Sequence, residues 1–99
     1  MIFTMVKNVL LRQAKEATLE NLRSIQQTLT ACVEEGMVDT GDAYYNEILD
    51  LLEDTRILTS WDELDEIITL AKTLEVDVAA WLSFHGRTTI SLPWPNRPK

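Results

Sequence analysis

The acidic cluster at residues 62–66 has the composition of a metal site. Asp62 stands three residues before Asp65 and four before Glu66, the separations at which side chains meet on one face of a helix. A di-iron helical bundle, however, draws its ligands from several helices and uses Glu-x-x-His, a pattern that this sequence lacks. We therefore interpret the cluster as solvated carboxylates at a helix start, where the helix dipole stabilises them, and we expect no metal and no cofactor.

The other groups with reactive potential give no catalytic pattern. His85, the only histidine, stands directly before Gly86, where an imidazole commonly caps a helix or packs on the surface. Cys32, the only cysteine, lies among apolar residues beside Glu34 and Glu35, whose negative charge disfavours a reactive thiolate. We expect Cys32 to be a buried hydrophobic residue. Because a glycine-rich phosphate loop, a calcium loop and a nucleophile elbow are also missing, the sequence predicts a protein that is not an enzyme.

The elements that carry these residues are predicted to be helices. Residues 18–35 place apolar side chains at steps of three and four, with Thr18 as a possible N-cap and Gly36 as the stop. Apolar residues keep a similar spacing towards the amino terminus, namely Phe3, Val6, Val9, Leu10 and Ala14. Either the chain breaks near Ala17 and Thr18, or one helix of about 30 residues extends for about 45 Å and packs its projecting end on a second copy of the protein.

Three more helical segments follow. Apolar spacing predicts a helix over 42–54, and Ser60 with Glu63 forms a capping box for a helix over 61–74. Asp77 is expected to cap a short fourth helix, 78–85. Short connections between helices favour antiparallel neighbours.

The predicted fold class is therefore all-α. Residues 1–86 are expected to form one domain, a compact bundle of three to five helices with a long amino-terminal helix. Residues 87–99 have no partner strand, so we predict an extended carboxy-terminal arm.

The arm holds all three prolines and no acidic residue. Prolines keep the segment LPWPNRPK near the polyproline conformation, so it loses little entropy when it lies on a surface. Trp94 supplies an apolar anchor, and Arg97 and Lys99 supply positive charge. The arm is suited to a groove, either on the acidic face of its own domain or on a partner.

Charge is sorted along the chain, whose net charge is −7. Residues 1–33 carry a net charge of +2, residues 34–77 carry −12, and residues 78–99 carry +3. The two ends can fold back across the middle, or the middle can dock a basic protein. Phosphate binding requires Lys and Arg, so nucleic acid is not expected as a partner. No apolar run approaches the ~18 residues of a bilayer span, and we expect a cytoplasmic protein without membrane contact.

One stretch, SWDELDEIITLAKTLEVDVAAWLSFHG, resembles the closing helix pair of helix-turn-helix domains of the phage-repressor type. LAKTLEV, Asp77, Trp81 and Leu82 stand where that family has a LAKALGV-type sequence, a polar cap and an apolar pair. The resemblance covers about a quarter of the chain and implies two helices joined by a short turn. Residues 34–56, which would supply the helix pair that enters the major groove, are acidic and lack the family's pattern.

These observations favour a non-enzymatic protein-interaction or regulatory module that forms a homodimer and binds another protein with a basic surface. The alternatives are a helix-turn-helix-like transcriptional regulator and an inhibitor that mimics DNA. The predicted partner-binding residues are Asp39, Asp42, Asp50, Glu53, Asp54, Asp62, Glu66, Trp94, Arg97 and Lys99.

Overall fold

In the residues that the structure describes, the regular structure consists of three helices: α1 (Ile2–Glu34), α2 (Gly41–Ile57) and α3 (Trp61–Phe84). The computed structural model describes the backbone of residues 2–36 and 41–98, and the side chains of residues 8–36 and 43–98. Within these ranges there is no strand, so the all-α prediction is confirmed, and three helices fall within the predicted three to five.

Helix α1 is continuous because no Gly or Pro interrupts it. Its 33 residues correspond to about 49 Å, close to the longest dimension of the molecule, 53 Å. The prediction that Thr18 is an N-cap is wrong. Thr18 lies inside the helix, fully buried, and its hydroxyl donates a hydrogen bond of 2.8 Å to the carbonyl of Ala14. Cross-helix packing of the stripe to which Thr18 belongs therefore overrides its preference for a helix start.

Helix α3 is a single helix of 24 residues, so the prediction of a separate fourth helix is wrong. Asp77 does not cap a helix but lies exposed in the interior of α3. The apolar positions Leu74, Val78 and Leu82 continue at helical spacing through the expected turn, and all three are buried. Because this packing runs without interruption, the helix pair implied by the resemblance to helix-turn-helix domains is absent from residues 61–84.

The ends of α3 follow the predicted signals. The hydroxyl of Ser60 accepts a hydrogen bond from the Glu63 N–H, as the predicted capping box requires. The Glu63 carboxylate accepts a hydrogen bond of 2.7 Å from the N–H of Thr59, one residue before the N–H of Ser60 that a capping box uses. At the other end Gly86 has φ +69°, and the Arg87 N–H donates to the Leu82 carbonyl at 2.8 Å, as in a Schellman motif.

The helices run up, down and up. The ammonium of Lys15 donates to the carbonyls of Arg56 and Leu58, so the end of α2 lies beside the middle third of α1. An ion pair between Glu35 and Arg87 places the end of α3 beside the end of α1. Helix α2 is therefore antiparallel to both other helices.

The core lies between the three helices and consists of aliphatic residues with one cysteine, Cys32, and one tryptophan, Trp81. Leu22, Ile25 and Leu29 of α1 are fully buried, and Cys32 is 4% exposed, which confirms the prediction that it is a buried hydrophobic residue. Among the described helices, none has the length and apolar composition needed to cross a bilayer.

The arm, described to Pro98, returns along the bundle between α1 and α3. It leaves α3 beside Glu35 and ends near Leu10 and Trp61. Ile90, Leu92 and Trp94 pack against the core. The sequence left open whether the arm lies on its own domain or on a partner, and in this structure it lies on its own domain.

Candidate functional site

The predicted partner-binding residues fall into separate groups in the structure. Asp39 and Lys99 lie outside the described residues, and Asp42 is in the first turn of α2 with its side chain outside them. Three of the acids are exposed on α2 and two on α3, while Trp94 and Arg97 are on the arm; the described acids are Asp50, Glu53, Asp54, Asp62 and Glu66.

Asp62 is engaged by the arm. The guanidinium of Arg97 donates to the Asp62 carboxylate at 2.8 Å and to the Asp65 carboxylate at 3.4 Å. The hydrogen bond to Asp62 is the main reason that the pKa of Arg97 is raised, and Asp65 acts in the same direction. Two predicted partner-binding residues, Asp62 and Arg97, therefore bind one another in the free protein.

Trp94 is also held by its own chain. Its indole N–H donates to the Glu75 carboxylate at 3.2 Å, and the same oxygen accepts the Leu92 N–H at 2.9 Å. From α1, the Asn21 amide donates to the Pro93 carbonyl at 2.7 Å. Asn21 and Glu75 were not predicted as site residues. Both are polar residues beside the apolar stripe of their helix. This position could have identified them, because burying a polar group there without a hydrogen-bond partner would be costly.

A groove runs between the end of α2 and the first half of α3, and we call it the acid-rimmed groove. It has a volume of about 320 Å³ and is lined by Asp54, Ile57, Leu58, Glu63, Glu66, Ile67 and Leu70. Leu58 and Ile67 are buried and belong to the core, so they form the floor. Asp54 and Glu66, both predicted, come together at its edge with Glu63.

Two aliphatic side chains on this groove face solvent. Ile57 is 67% exposed and Leu70 is 53% exposed. A shallower recess continues from the groove along α3 past Leu70 to Asp65 and Thr69. Single exposed apolar residues are common, but here two of them line the same groove as the buried Leu58 and Ile67 and three carboxylates. This combination suits a ligand that is apolar on one side and cationic around it.

The remaining predicted acids stand further along α2. Asp50 and Glu53 are exposed, and Glu53 forms an ion pair of 3.5 Å with Arg56. An exposed pair of this kind contributes little energy and leaves both groups accessible. These residues extend the negative field of the groove along the outer face of α2 but do not line it.

Sequence reasoning missed Ile57 because the helix predicted over 42–54 stops three residues before it, whereas α2 extends to Ile57. It missed Leu70 because that residue was not counted among the apolar positions of the helix predicted over 61–74. The signal was present in the spacing: Leu70 follows Ile67 by three residues and precedes Leu74 by four, which places it at the margin of the buried stripe. In the folded protein this margin is left uncovered, since Leu70 is 53% exposed.

Within residues 8–36 and 43–98, no three His, Cys, Asp or Glu residues are placed to hold a metal ion. His85 follows α3 at its C-cap, where its ring makes edge contacts with Trp81 and Phe84. The Trp81 indole N–H is buried and has no hydrogen-bond partner among the described residues.

No family model, no curated protein and no solved structure matches this chain.

Proposed function

We propose that this protein is a non-enzymatic interaction module whose acid-rimmed groove binds an amphipathic, positively charged helix of a protein partner. The observation that carries the proposal is the exposure of Ile57 and Leu70 above a buried apolar floor and between carboxylates. An amphipathic helix places apolar anchors at i, i+3, i+4 and i+7 into such a groove, and its flanking Lys or Arg side chains meet the rim.

The energy of binding would come from the apolar contacts and the specificity from the rim. Burying an aliphatic side chain contributes about 1.5–3 kcal/mol, so covering Ile57 and Leu70 supplies most of the attraction. Asp54 and Glu66 steer a cationic partner and repel an anionic one. The net charge of −7 adds to this steering over a longer range.

A labelled peptide tests the proposal directly. The probe is a fluorescein-labelled helical peptide of about 15 residues, with leucine at the anchor positions and lysine on the other face. In fluorescence anisotropy titrations, Ile57→Ser should weaken binding about tenfold, because about 1.4 kcal/mol of apolar contact is lost. Glu66→Lys should weaken it further at low salt through repulsion.

The matched control is Val76→Ser. Val76 is 66% exposed on α3, as exposed as Ile57, but it does not line the groove. The control should bind the peptide like the unchanged protein. If the peptide does not bind, or if Val76→Ser weakens binding as much as Ile57→Ser, the groove is not the docking site.

A further inference from the structure

The carboxy-terminal arm lies on a surface that contacts its backbone as well as its side chains. We call this surface, between α1 and α3 beneath residues 92–97, the arm site. From α1, Asn21, which is 8% exposed, donates its amide N–H to the Pro93 carbonyl at 2.7 Å. From α3, Glu75 accepts the Leu92 N–H at 2.9 Å. Both contacts are with main-chain groups, which another extended segment can present in the same way.

Two side chains of the arm make the contacts that select a sequence. The Trp94 indole N–H donates to the same Glu75 oxygen at 3.2 Å, and the Trp94 side chain packs against the core. Three residues later, Arg97 donates to Asp62 at 2.8 Å and to Asp65 at 3.4 Å. The arm site therefore fits a segment with tryptophan and, three positions further on, arginine.

The length of the arm site along α3 matches an extended chain. Asp65 and Glu75 are ten residues apart, which is about 15 Å along a helix. Residues 92–97 span five steps, which cover about 16 Å in the polyproline conformation. Pro93 and Pro95 favour that conformation and carry no N–H group that would need a partner. The matching pattern is an apolar residue, Pro, Trp, Pro, any residue and Arg.

The arm does not fill the far end of the arm site. A gap of about 210 Å³ remains between the end of the arm and the bundle. Leu10, Ala14, Ala17 and Trp61 line the gap on the bundle side, and Asn96 is among the residues that line it on the arm. A larger apolar side chain in place of Asn96 would make contacts with these apolar residues that the arm itself does not make.

The link between α3 and the arm site is exposed. Gly86, with φ +69°, reverses the chain, and the Arg87 N–H closes the cap of α3. Thr88, Thr89 and Ser91, which follow, face solvent. Because the cap of α3 is complete before this link begins, the arm can leave its site without opening α3.

We propose that the arm site binds a segment of another protein with the pattern apolar residue, Pro, Trp, Pro, leucine-sized apolar residue and Arg, and that the arm is its internal competitor. A tethered competitor acts at an effective concentration of about millimolar order. A partner segment identical to the arm would therefore bind poorly, whereas one that also fills the gap gains contacts that the arm lacks. The arm site is separate from the acid-rimmed groove, which lies between α2 and α3.

A full-length variant with a loosened arm makes the arm site available for measurement. Trp94→Ala with Arg97→Ala removes both side-chain anchors of the arm and leaves the groups of α1 and α3 unchanged. The probe is a fluorescein-labelled peptide with the sequence of residues 89–98 and leucine in place of Asn96. In anisotropy titrations it should bind the loosened variant at least about tenfold more tightly than the unchanged protein, because the tethered arm competes less.

Circular dichroism at 222 nm checks that the loosened variant keeps its helices. If it does not, Arg97→Ala alone takes its place, since this change breaks only exposed ion pairs. A probe that binds neither variant would overturn the proposal.

Two changes on α3 test where the probe binds. Glu75→Ala, added to the loosened variant, should weaken probe binding at least about tenfold, because a backbone N–H and an indole N–H lose their charged acceptor. Asp77→Ala is the matched control, since it removes an exposed carboxylate two residues further along α3. It should leave probe binding unchanged, and equal losses for the two changes would mean that the probe binds elsewhere.

The natural sequence of the arm tests the gap. A peptide that keeps Asn96 should bind the loosened variant at least about threefold more weakly than the leucine probe, because less apolar surface is covered. At saturation the leucine probe should also displace the arm of the unchanged protein and speed tryptic cleavage after Arg87. Equal affinities of the two peptides would contradict the proposal, because nothing would then favour a partner over the tethered arm.

Two further readouts separate the arm site from other interactions. Ile57→Ser, which alters the acid-rimmed groove, should leave probe binding unchanged, so a failure at one site is distinguishable from a failure at the other. Sedimentation velocity tests a second copy as the occupant. If the unchanged protein dimerises and the probe splits the dimer, the arm of a second copy fills the arm site, and the proposal of an outside partner is wrong.

Discussion

Glu75 fastens the arm to the bundle through one oxygen atom. That oxygen accepts the Leu92 N–H and the Trp94 indole N–H, at 2.9 and 3.2 Å. Glu75 is half-buried, and a carboxylate in that position is stable only when donors reach it. The carboxylate and the arm therefore stabilise one another, because removing Glu75 leaves two N–H donors of the arm without their acceptor.

We predict that Glu75→Ala lowers the free energy of unfolding by about 1–3 kcal/mol, because two donors at the arm lose a charged acceptor. Trp94 should become more exposed, with a red shift of tryptophan emission and faster tryptic cleavage after Arg87. Urea denaturation measures the stability. Glu66→Ala makes the same chemical change at an exposed position of α3 and should have little effect. Equal losses for the two variants would contradict the role of Glu75.

Arg97 contributes differently from Glu75. Its side chain is about half exposed in its pairs with Asp62 and Asp65, and solvent weakens such pairs. The hydrogen bond to Asp62 raises the pKa of Arg97 above its ordinary value. A raised pKa contributes stability that is fully present below the unfolded-state pKa of arginine and is lost as the pH rises through the folded-state pKa. Both values lie far above neutrality, so the charge of Arg97 adds no pH dependence of stability near neutral pH.

At the scale of elements, the unbroken α3 is the largest departure from the sequence-based expectation. A polar residue between two apolar segments was interpreted as a cap for a new helix, but neither Gly nor Pro accompanies Asp77. Without a residue that favours leaving the helix, the hydrogen-bonded ladder continues, because each added residue forms a bond at lower entropic cost than a new helix start.

Proline at position 76 distinguishes one helix from two. In a continuous α3, Val76→Pro removes an interior hydrogen bond and should cost about 3 kcal/mol. In a turn between two helices the same change would be tolerated. Urea denaturation, with helical content from circular dichroism at 222 nm, measures the difference. Val76→Ala is the control and should change the stability by less than about 0.5 kcal/mol, since the side chain is exposed. A neutral Val76→Pro would contradict the continuous helix.

At the scale of the whole molecule, the basic carboxy-terminal end of the chain meets its acidic middle. Arg87 pairs with Glu35, and Arg97 pairs with Asp62 and Asp65. For this end of the chain, the structure follows the first of the two interpretations that the charge pattern allowed. These ion pairs engage only part of the acidic surface, since Asp50, Asp54 and Glu66 remain exposed.

The arm contributes to the stability of the whole domain as well as to its charge pattern. Ile90, Leu92 and Trp94 are half-buried against the core, and covering three such side chains contributes about 3 kcal/mol. We therefore predict that a chain ending at Arg87 loses about this free energy of unfolding in urea. Arg97→Ala, which breaks only exposed pairs, should lose less than about 1 kcal/mol. An unchanged stability after truncation would show that the arm is not part of the fold.

Local patterns in the sequence were enough to predict the helical class, the buried Cys32 and the ends of α3. Ser60 with Glu63, and Gly86 with its positive φ, act through hydrogen bonds within a few residues, so their effect is contained in the local sequence. The charge blocks are equally plain in the sequence, because net charge is a sum over residues.

The packing of the helices decided three further features. Thr18 continues a helix instead of starting one, and the arm lies between α1 and α3. Asp54 and Glu66 line the same groove as the exposed Ile57 and Leu70. Each of these depends on contacts between residues far apart in the chain and on the angle at which two helices cross. A local pattern shows which side of a helix is apolar. How much of that side a neighbouring helix covers is decided only when the bundle assembles. The part of α2 and α3 that stays uncovered forms the groove.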